Sequence, residues 1–484
     1  MADCYTVTMR RTKIVCTLGP ASLKPEIIAS LIRAGMNVAR LNTSHGTIQE
    51  HVDSIELVRK VAAEVGQPVG VLMDLAGPKM RTGPVSGEGT IPLVAGQRVR
   101  LTSTLVASTS AVISVEYPQL VQDVAPGEHV LLDDGNIELL VMGTAGDGLE
   151  CTVITGAPLG ARRGVSFPHS NLSMPALTDR DREAIKAGVG AGVDLFALSF
   201  VQDASDLIMT RECITSLGAD TPIVAKIERR QAVEHLDEIM AEADGAMVAR
   251  GDLGVELPPE DVPVQQRRII AAAARNMIPV ITATQMLESM VNSPRPTRAE
   301  SSDVANATWD LSDALMLSEE TAVGRYPVEA VAMMDRIIRR AEEASPPNLD
   351  ERFAPTTDDH SYVVALAARR IIESDANMRG IVCFTRSGYT AFLMSKVHSN
   401  APIFAVTPNE SVCRRLALAR GVVPLAGPLV STSEEMLAMV DRLLMDSGHV
   451  REGEEVVVVA SLPVSAKGST NFLKLHRIGE SDRY

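Results

Sequence analysis

The strongest constraint on this chain is a rhythm. Between residues 13 and 344, short apolar runs alternate with amphipathic segments of helical length. The runs are KIVCTLGP (13–20), MNVARLNTSHG (36–46), PVGVLMDLAGPK (68–79), VDLFALSFV (193–201), PIVAKIE (222–228), GAMVARGD (245–252), PVITATQ (279–285) and DALMLSEE (313–320). Segments between them carry helix signals. PEIIASLIRAG (25–35) has Pro at its start and Gly at its end, and IQEHVDSIELVRKVAAEVG stops at Gly66. Further helices are expected over 179–192 and from Pro327 onward. Buried strands alternating with helices mean βαβ units and a parallel sheet. Eight such units predict a TIM (β/α)8 barrel.

The rhythm breaks at about residue 81. Up to about residue 175 the chain shows only short β runs: RVRLTST, AVISVEY, HVLLDDGNIELLVMG and LECTVITG. Asp134-Gly135 and Asp147-Gly148 punctuate them as hairpin turns, and no helix is expected. This stretch reads as an inserted small all-β barrel domain. A Pro-rich, charged linker (345–359) follows the last barrel helix, and the pattern then restarts as a C-terminal open α/β domain. Ser433 is the expected cap of that domain's helix SEEMLAMVDRLLMDSG. The expected division is 1–80 barrel, 81–175 inserted domain, 176–345 barrel and 346–484 C-terminal domain.

Composition narrows the functional classes. The 484 residues are 45% hydrophobic and 22% charged, as in globular proteins, with enough length for about three domains. Net charge is −15, which argues against broad nucleic-acid or anionic-membrane binding. No signal-peptide apolar region opens the sequence, and no uncharged run reaches membrane-span length. Six scattered cysteines form neither a CxxC nor a zinc spacing, which fits reduced thiols. A cytoplasmic location is therefore expected.

Active sites of such barrels lie at the C-terminal strand ends. Strand one ends near Pro20. Strand two supplies Arg40, Asn42, Ser44 and His45, and strand three Asp74, Lys79 and Arg81. Strand five supplies Lys226 and Glu228, strand six Arg250 and Asp252, strand seven Thr282, Thr284 and Gln285, and strand eight Ser318, Glu319 and Glu320. Glu228 and Asp252 come from neighbouring strands. Hard oxygen ligands without His or Cys suit Mg²⁺ or Mn²⁺. Arg40, Arg81 and Lys226 add positive charge at the same mouth. Carboxylate-held metal beside Arg and Lys is the apparatus of phosphoryl transfer. Taken alone, each of these residues is equally a salt-bridge partner or a solvated turn. The turn Arg250-Gly251-Asp252 is equally a strand-to-helix connection whose Asp caps the helix.

The motifs KIVCTLGPAS, MNVARLNTSHG, AKIE, MVARGDLGVE, TATQMLESM and PRPTRAESSDVANA resemble those of the pyruvate kinase family, in chain order and over most of the barrel. The resemblance implies transfer of phosphate from phosphoenolpyruvate to ADP, giving pyruvate and ATP. It implies that Glu228 and Asp252 hold Mg²⁺, that Lys226 neutralises the phosphoryl group in flight and that Arg40 contacts it. The backbone of Ala249, Arg250 and Gly251 would receive the substrate carboxylate. Thr284 would help protonate the enolate carbon. Pro20, Asn42, His45 and Arg81 would lie on the nucleotide side, and the inserted domain would be a closing lid. A homotetramer is implied by the same likeness.

Departures from the family pattern carry their own expectations. The monovalent-cation region maps to Asn42, Ser44, Asp74 and Leu75, where Leu75 replaces the usual Thr. Lys79 stands where K⁺-dependent members carry Glu, and its ammonium can substitute for K⁺. K⁺ is therefore not expected to be required. Glu319 replaces a Gly of the family motif, and Arg180 replaces a lid-edge Lys. In the C-terminal domain, Thr385-Arg386-Ser387-Gly388-Tyr389-Thr390, at a helix start, reads equally as a phosphate cradle or as an ordinary capped turn. It resembles the family's allosteric site, with residues 468–471 as a second loop, and implies a phosphorylated effector. Two other readings remain: a Schiff-base aldolase-like barrel using Lys226, and a non-catalytic regulator that binds phosphometabolites.

Overall fold

The computed structural model describes residues 9–87, 89–344, 360–462 and 470–480. Eight parallel strands close into a barrel: Lys13–Thr17, Val38–Asn42, Gly70–Asp74, Leu195–Leu198, Ile223–Ile227, Gly245–Ala249, Val280–Ala283 and Ala314–Leu317. Each pairs in parallel with the next, and the eighth pairs with the first, Lys13 opposite Ala314. These strands are buried on both faces, which is why they read as continuous apolar runs rather than alternating ones. The strands are shorter than the apolar runs. Strand four stops at Leu198 and strand seven at Ala283. The polar residues that follow are therefore released into loops at the barrel mouth.

Helices cover the barrel for reasons visible in the chain. Helix Pro25–Ala34 has Pro in its first turn and ends at Gly35. Helix Ile48–Val65 opens with a capping box, in which Thr47 accepts from the Glu50 amide and the Glu50 carboxylate from the Thr47 amide. The core between strands and helices is aliphatic, from Ile14 and Ile28 round to Val331 and Ile338. A second, smaller core fills the barrel interior with Val15, Leu72, Met247 and Met316, and Leu418 of the C-terminal domain joins it.

The inserted domain curls one six-stranded sheet around its own core. Its spatial order is Val165–Ser166, His129–Leu132, Ile137–Ala145, Gly148–Thr155, Arg98–Thr102, Val112–Ser114. The entering chain bridges both edges, Arg81 to Gly164 and Thr82 to Val115. A four-residue helix, Leu120–Asp123, stands where none was expected. It is too short to show a helical period.

The C-terminal domain has a five-stranded sheet, ordered Val422–Ala426, Ile403–Thr407, Met378–Phe384, Glu455–Ala460, Phe472–Arg477, the last strand antiparallel. The cap of helix Ser433–Asp446 is Thr432, not Ser433. Thr432 accepts from the Glu435 amide, three residues on, so the capping-box spacing starts one residue earlier than expected. The linker expected over 345–359 lies outside the described residues.

The barrel base and the C-terminal domain share buried charges. Lys396 Nζ meets Asp313 Oδ2 at 2.5 Å with both side chains 1% exposed. Lys13 Nζ donates to the Val422 carbonyl at 2.7 Å. Removing one partner of a buried pair leaves the other charged and desolvated. Lys396→Met is therefore expected to destabilise the protein by about 3–5 kcal/mol, measured as a lowered urea midpoint.

Candidate active site

Asp74, the last residue of strand three, is the hub of the barrel mouth. It is 1% exposed. Arg40, from strand two, donates to its Oδ2 through Nε at 2.7 Å and approaches it through Nη2 at 2.6 Å. Lys226, from strand five, reaches Oδ1 at 3.3 Å. Lys226 Nζ also donates to Ser199 Oγ at 2.6 Å and lies 3.2 Å from Glu228 Oε2. Burial opposes the charged form of Asp74, but Lys226 and Arg40 outweigh it and hold its pKa below the ordinary value. Burial also pulls Lys226 down, but Asp74, Glu228 and Asp252 together keep it above the usual lysine range. Lys226 is thus a fixed cation. A Schiff-base lysine needs a depressed pKa, so this environment works against the aldolase reading.

Strand six ends in the short helix Arg250–Glu256. Its cap is Ala249, and Asp252 lies within the first turn, so the reading of Asp252 as the helix cap does not hold. The Asp252 carboxylate is exposed, and no hydrogen bond or ion pair to it occurs among the described residues. Arg250 is taken up by neighbouring groups of the protein. It donates to the carbonyls of Ala283 at 3.2 Å and Thr284 at 2.7 Å, and pairs with Asp303 at 2.8 Å. It thereby braces two residues in left-handed backbone conformations, Thr284 (φ 68°) and Gln285 (φ 54°). A β-branched residue adopts that region only under constraint. The result aims Thr284 Oγ1 at the Gly251 amide, 2.8 Å away.

The donor set fits a hard divalent cation. Glu228 is 2% exposed, and its Oε1 accepts from the Phe200 amide at 2.7 Å. Its Oε2 is buried with no hydrogen-bond partner. Burial raises its pKa and Asp252 adds to the rise, so the two carboxylates share one region. No group of three or more His, Cys, Asp or Glu placed for a metal occurs among the described residues. Two carboxylates leave the remaining positions to water and substrate, the Mg²⁺ habit.

Other expected residues sit as follows. Pro20 is exposed on the turn after strand one, and His45 is exposed beyond strand two. Asn42 Oδ1 accepts from the Ser44 amide at 3.1 Å. The Leu75 side chain is buried in the core, and its carbonyl accepts from Ser199 Oγ at 2.7 Å. Lys79 reaches solvent. Desolvation in the cleft and nearby Lys226 lower its pKa, against Asp252 and Asp74, so its ammonium lies among these charges. Arg81 Nη1 donates to the Arg162 carbonyl at 3.0 Å, within the lid. Arg180 Nη2 donates to the carbonyls of Thr43 at 3.0 Å and Gly46 at 3.2 Å, holding the turn after strand two. Glu319 is exposed, whereas Glu320 is buried and accepts the amides of Leu287 and Ser318. Thr282 is not at the mouth. It is fully buried, and its hydroxyl meets Ser312 at 2.7 Å.

Ser199 was missed although it ties Lys226, Asp74 and Leu75 together. It follows strand four, whose end had yielded no candidate. The same strand-end rule reaches it. Thr17 was missed as well. It accepts from Arg40 Nη1 at 2.9 Å, and only its apolar neighbours mark it in the chain. A groove of about 1700 Å³ meets this site at Arg250, Gly251, Asp252, Gln285 and Asp303 and extends to Trp309 and Arg420.

In the C-terminal domain, Thr385 Oγ1 accepts from the Gly388 amide at 2.8 Å, and Ser387 Oγ from that of Tyr389 at 3.4 Å. The Arg386 carbonyl accepts from Asn409 at 2.8 Å. Gly388 (φ 95°) begins helix Tyr389–Lys396. Thr390 Oγ1 meets Thr470 Oγ1 at 3.3 Å, which joins the two expected loops. Residues 468 and 469 lie outside the described residues.

Fold and site define a TIM-barrel enzyme with opposed carboxylates and cations at its mouth. Family models match the chain twice: pyruvate kinase, barrel domain, over 9–331, and pyruvate kinase, alpha/beta domain, over 363–476. The chain belongs to the pyruvate kinase family and is a phosphotransferase. A pyruvate kinase of Mycobacterium intracellulare is 43% identical over 473 residues, covering 98% of this chain and 99% of its own. One from Geobacillus stearothermophilus is 44% identical over 477 residues, covering 97% and 81%. The crystal structure of a pyruvate kinase from Cryptosporidium parvum has a TM-score of 0.90 at 35% identity, covering 97% of this chain and 96% of that one. No helix among the described residues is long and apolar enough to cross a membrane.

The hub's stability depends on pH with a definite sign. The folded pKa of Asp74 lies below its ordinary 3.8, so its contribution is complete above that value and is lost as pH falls through the folded one. Asp74→Asn leaves Arg40 and Lys226 buried without their carboxylate. It is expected to cost about 3–5 kcal/mol at neutral pH. The deficit against the parent should shrink on the acid limb, as read from urea midpoints across pH.

Proposed function

We propose that the protein transfers the phosphoryl group of phosphoenolpyruvate to ADP, forming pyruvate and ATP as the last step of glycolysis. The observation that carries this reading is the fixed Lys226 cation 3.2 Å from the buried Glu228 carboxylate, with the exposed Asp252 carboxylate in the same region. Lys226 and Arg40 would face the phosphoryl oxygens. Asp74 keeps both charged and oriented, so little reorganisation is needed when charge develops. The amides at the start of helix Arg250–Glu256, with the backbone of Ala249, Arg250 and Gly251, would receive the substrate carboxylate. That carboxylate would take over the Gly251 amide from Thr284. The freed hydroxyl would then help deliver a proton to the enolate carbon. The enol–phosphate P–O bond breaks, the β-phosphate oxygen of ADP takes the phosphorus, and the carbon is protonated.

Glu228 and Asp252 would hold Mg²⁺ or Mn²⁺, which when bound supplies positive charge against the phosphoryl oxygens. Pro20, Asn42, His45 and Arg81 would line the nucleotide side, under a lid that excludes water. Thr385, Arg386, Ser387, Gly388 and Thr390 would bind the phosphate of an effector, and the assembly would be a homotetramer. Lys226→Met is expected to lower stability, because it leaves Asp74 and Glu228 buried without their cation, and in the folded fraction to reduce pyruvate formation from phosphoenolpyruvate, ADP and Mg²⁺ by about 10³-fold. Turnover equal to the parent's would refute the mechanism.

The Lys79 ammonium, among Asp74, Asp252 and Lys226, supports activity without K⁺. The Asn42 and Leu75 oxygens already accept internal hydrogen bonds. KCl added at constant ionic strength should leave turnover unchanged in the parent. In Lys79→Glu it should restore activity that the substitution removes.

A further inference from the structure

Two chain crossings join the inserted domain to the barrel, and the separate cores locate both joints. On entry, Leu75 packs in the barrel core and Met80 in the inserted domain's core. On return, Leu172 and Met174 pack with the inserted domain, and Ala176 and Leu177 with the barrel. The joints therefore lie at 76–79, around Gly77 (φ 63°), and at Pro175. Gln202 Nε2 donates to the Met174 carbonyl at 3.2 Å, directly beside the second joint.

A further bond reaches past that joint into the body of the inserted domain. Ser170 is fully buried, and its hydroxyl donates to Glu128 Oε2 at 2.6 Å. Its carbonyl accepts from Gln231 Nε2 at 2.8 Å. Gln231 stands on the barrel, in helix Arg230–Glu234, and is buried. Its Oε1 has no hydrogen-bond partner among the described residues, so the side chain is placed for the Ser170 carbonyl. The neighbouring pair, Arg230 Nη1 and His169 Nδ1, meets only at 3.5 Å. In this orientation Pro20, His45, Asp252 and Gln285 are all exposed, so the barrel mouth is open. Closing over them turns the inserted domain at its joints. Met174 adjoins a joint and hardly moves in such a turn, whereas Ser170 travels relative to Gln231. A hydrogen bond made in one orientation only shifts the population towards that orientation.

We propose that Gln231 is a positioning residue that latches the inserted domain in this open orientation through the Ser170 carbonyl, so that closure over the barrel mouth must first break the bond. The inference rests on the closing role proposed above for the inserted domain.

The test is double electron–electron resonance between nitroxides on ketone-bearing side chains introduced at two exposed positions, Val94 of the inserted domain and Glu238 of the barrel. Phosphoenolpyruvate with Mg²⁺ should move the parent from one distance population to another. Gln231→Met removes the donor at similar length, and Gln231→Asn keeps the amide but leaves it a methylene short. Without ligand, both variants should already populate the closed distance more than the parent does. The phosphoenolpyruvate concentration at half-conversion should fall about fivefold, the weight of a single hydrogen bond. Thermal midpoints identify a variant that merely unfolds, and the other then carries the comparison. Gln202→Met, which cuts the bond beside the joint, should leave both readings at the parent's values. Parent-like distributions and half-conversion in the Gln231 variants would overturn the latch, as would equal changes in Gln202→Met. The parent separates the two readings. If its distances do not respond to phosphoenolpyruvate and Mg²⁺, the closing role falls and the latch with it. If they respond and the Gln231 variants match them, the latch alone falls.

Discussion

One buried carboxylate organises this molecule's chemistry. Asp74 has both oxygens engaged by cations from other strands, Arg40 on one and Lys226 on the other. A carboxylate so deep survives ionised only because those cations outweigh its desolvation, and they stay charged and in place because it does. Each member makes the others affordable. Ser199 and Thr17 occupy remaining donors and acceptors, so the hub sits in one arrangement rather than several.

The barrel's geometry sets that hub beside a second, looser element. Helix Arg250–Glu256 starts immediately after strand six, so its first amides and Asp252 face the mouth. Arg250 does not join them. It spends its guanidinium on the carbonyls of Ala283 and Thr284 and on Asp303, and so maintains the left-handed turn that aims Thr284 at Gly251. The resemblance assigns only the backbone of Arg250 to the substrate, and its side chain is a brace in the fold. Its partners arrive from strand seven and helix Arg298–Trp309, more than 30 positions away.

Relations between domains follow the same logic of shared polar groups. The inserted domain's core is separate from the barrel's, and its attachment includes hydrogen bonds such as Gln231 to Ser170. The C-terminal domain is fastened differently. It sets Leu418 into the barrel interior and the fully buried Lys396 against Asp313. Apolar contact and buried charge together make that junction stiff.

The chain by itself determined the architecture. Period, proline and glycine placement and turn chemistry are local, and they marked eight strands, their helices and the point where the β domain interrupts them. Strand ends also delivered most of the candidate site: Asp74, Lys226, Glu228, Asp252 and Thr284 lie at or just beyond them, and Arg40 lies within strand two. What only the tertiary structure decided was which charges meet. Asp74 became the hub that joins Arg40 to Lys226, Thr282 fell into the core, and the cap of helix Ser433–Asp446 moved to Thr432. Ser199 joined from a strand end that had been passed over. The physical reason is that Coulomb and hydrogen-bond partners are set by distance in space. Closing the barrel brings together residues from strands two, three, four and five whose separation along the chain carries no record of the meeting.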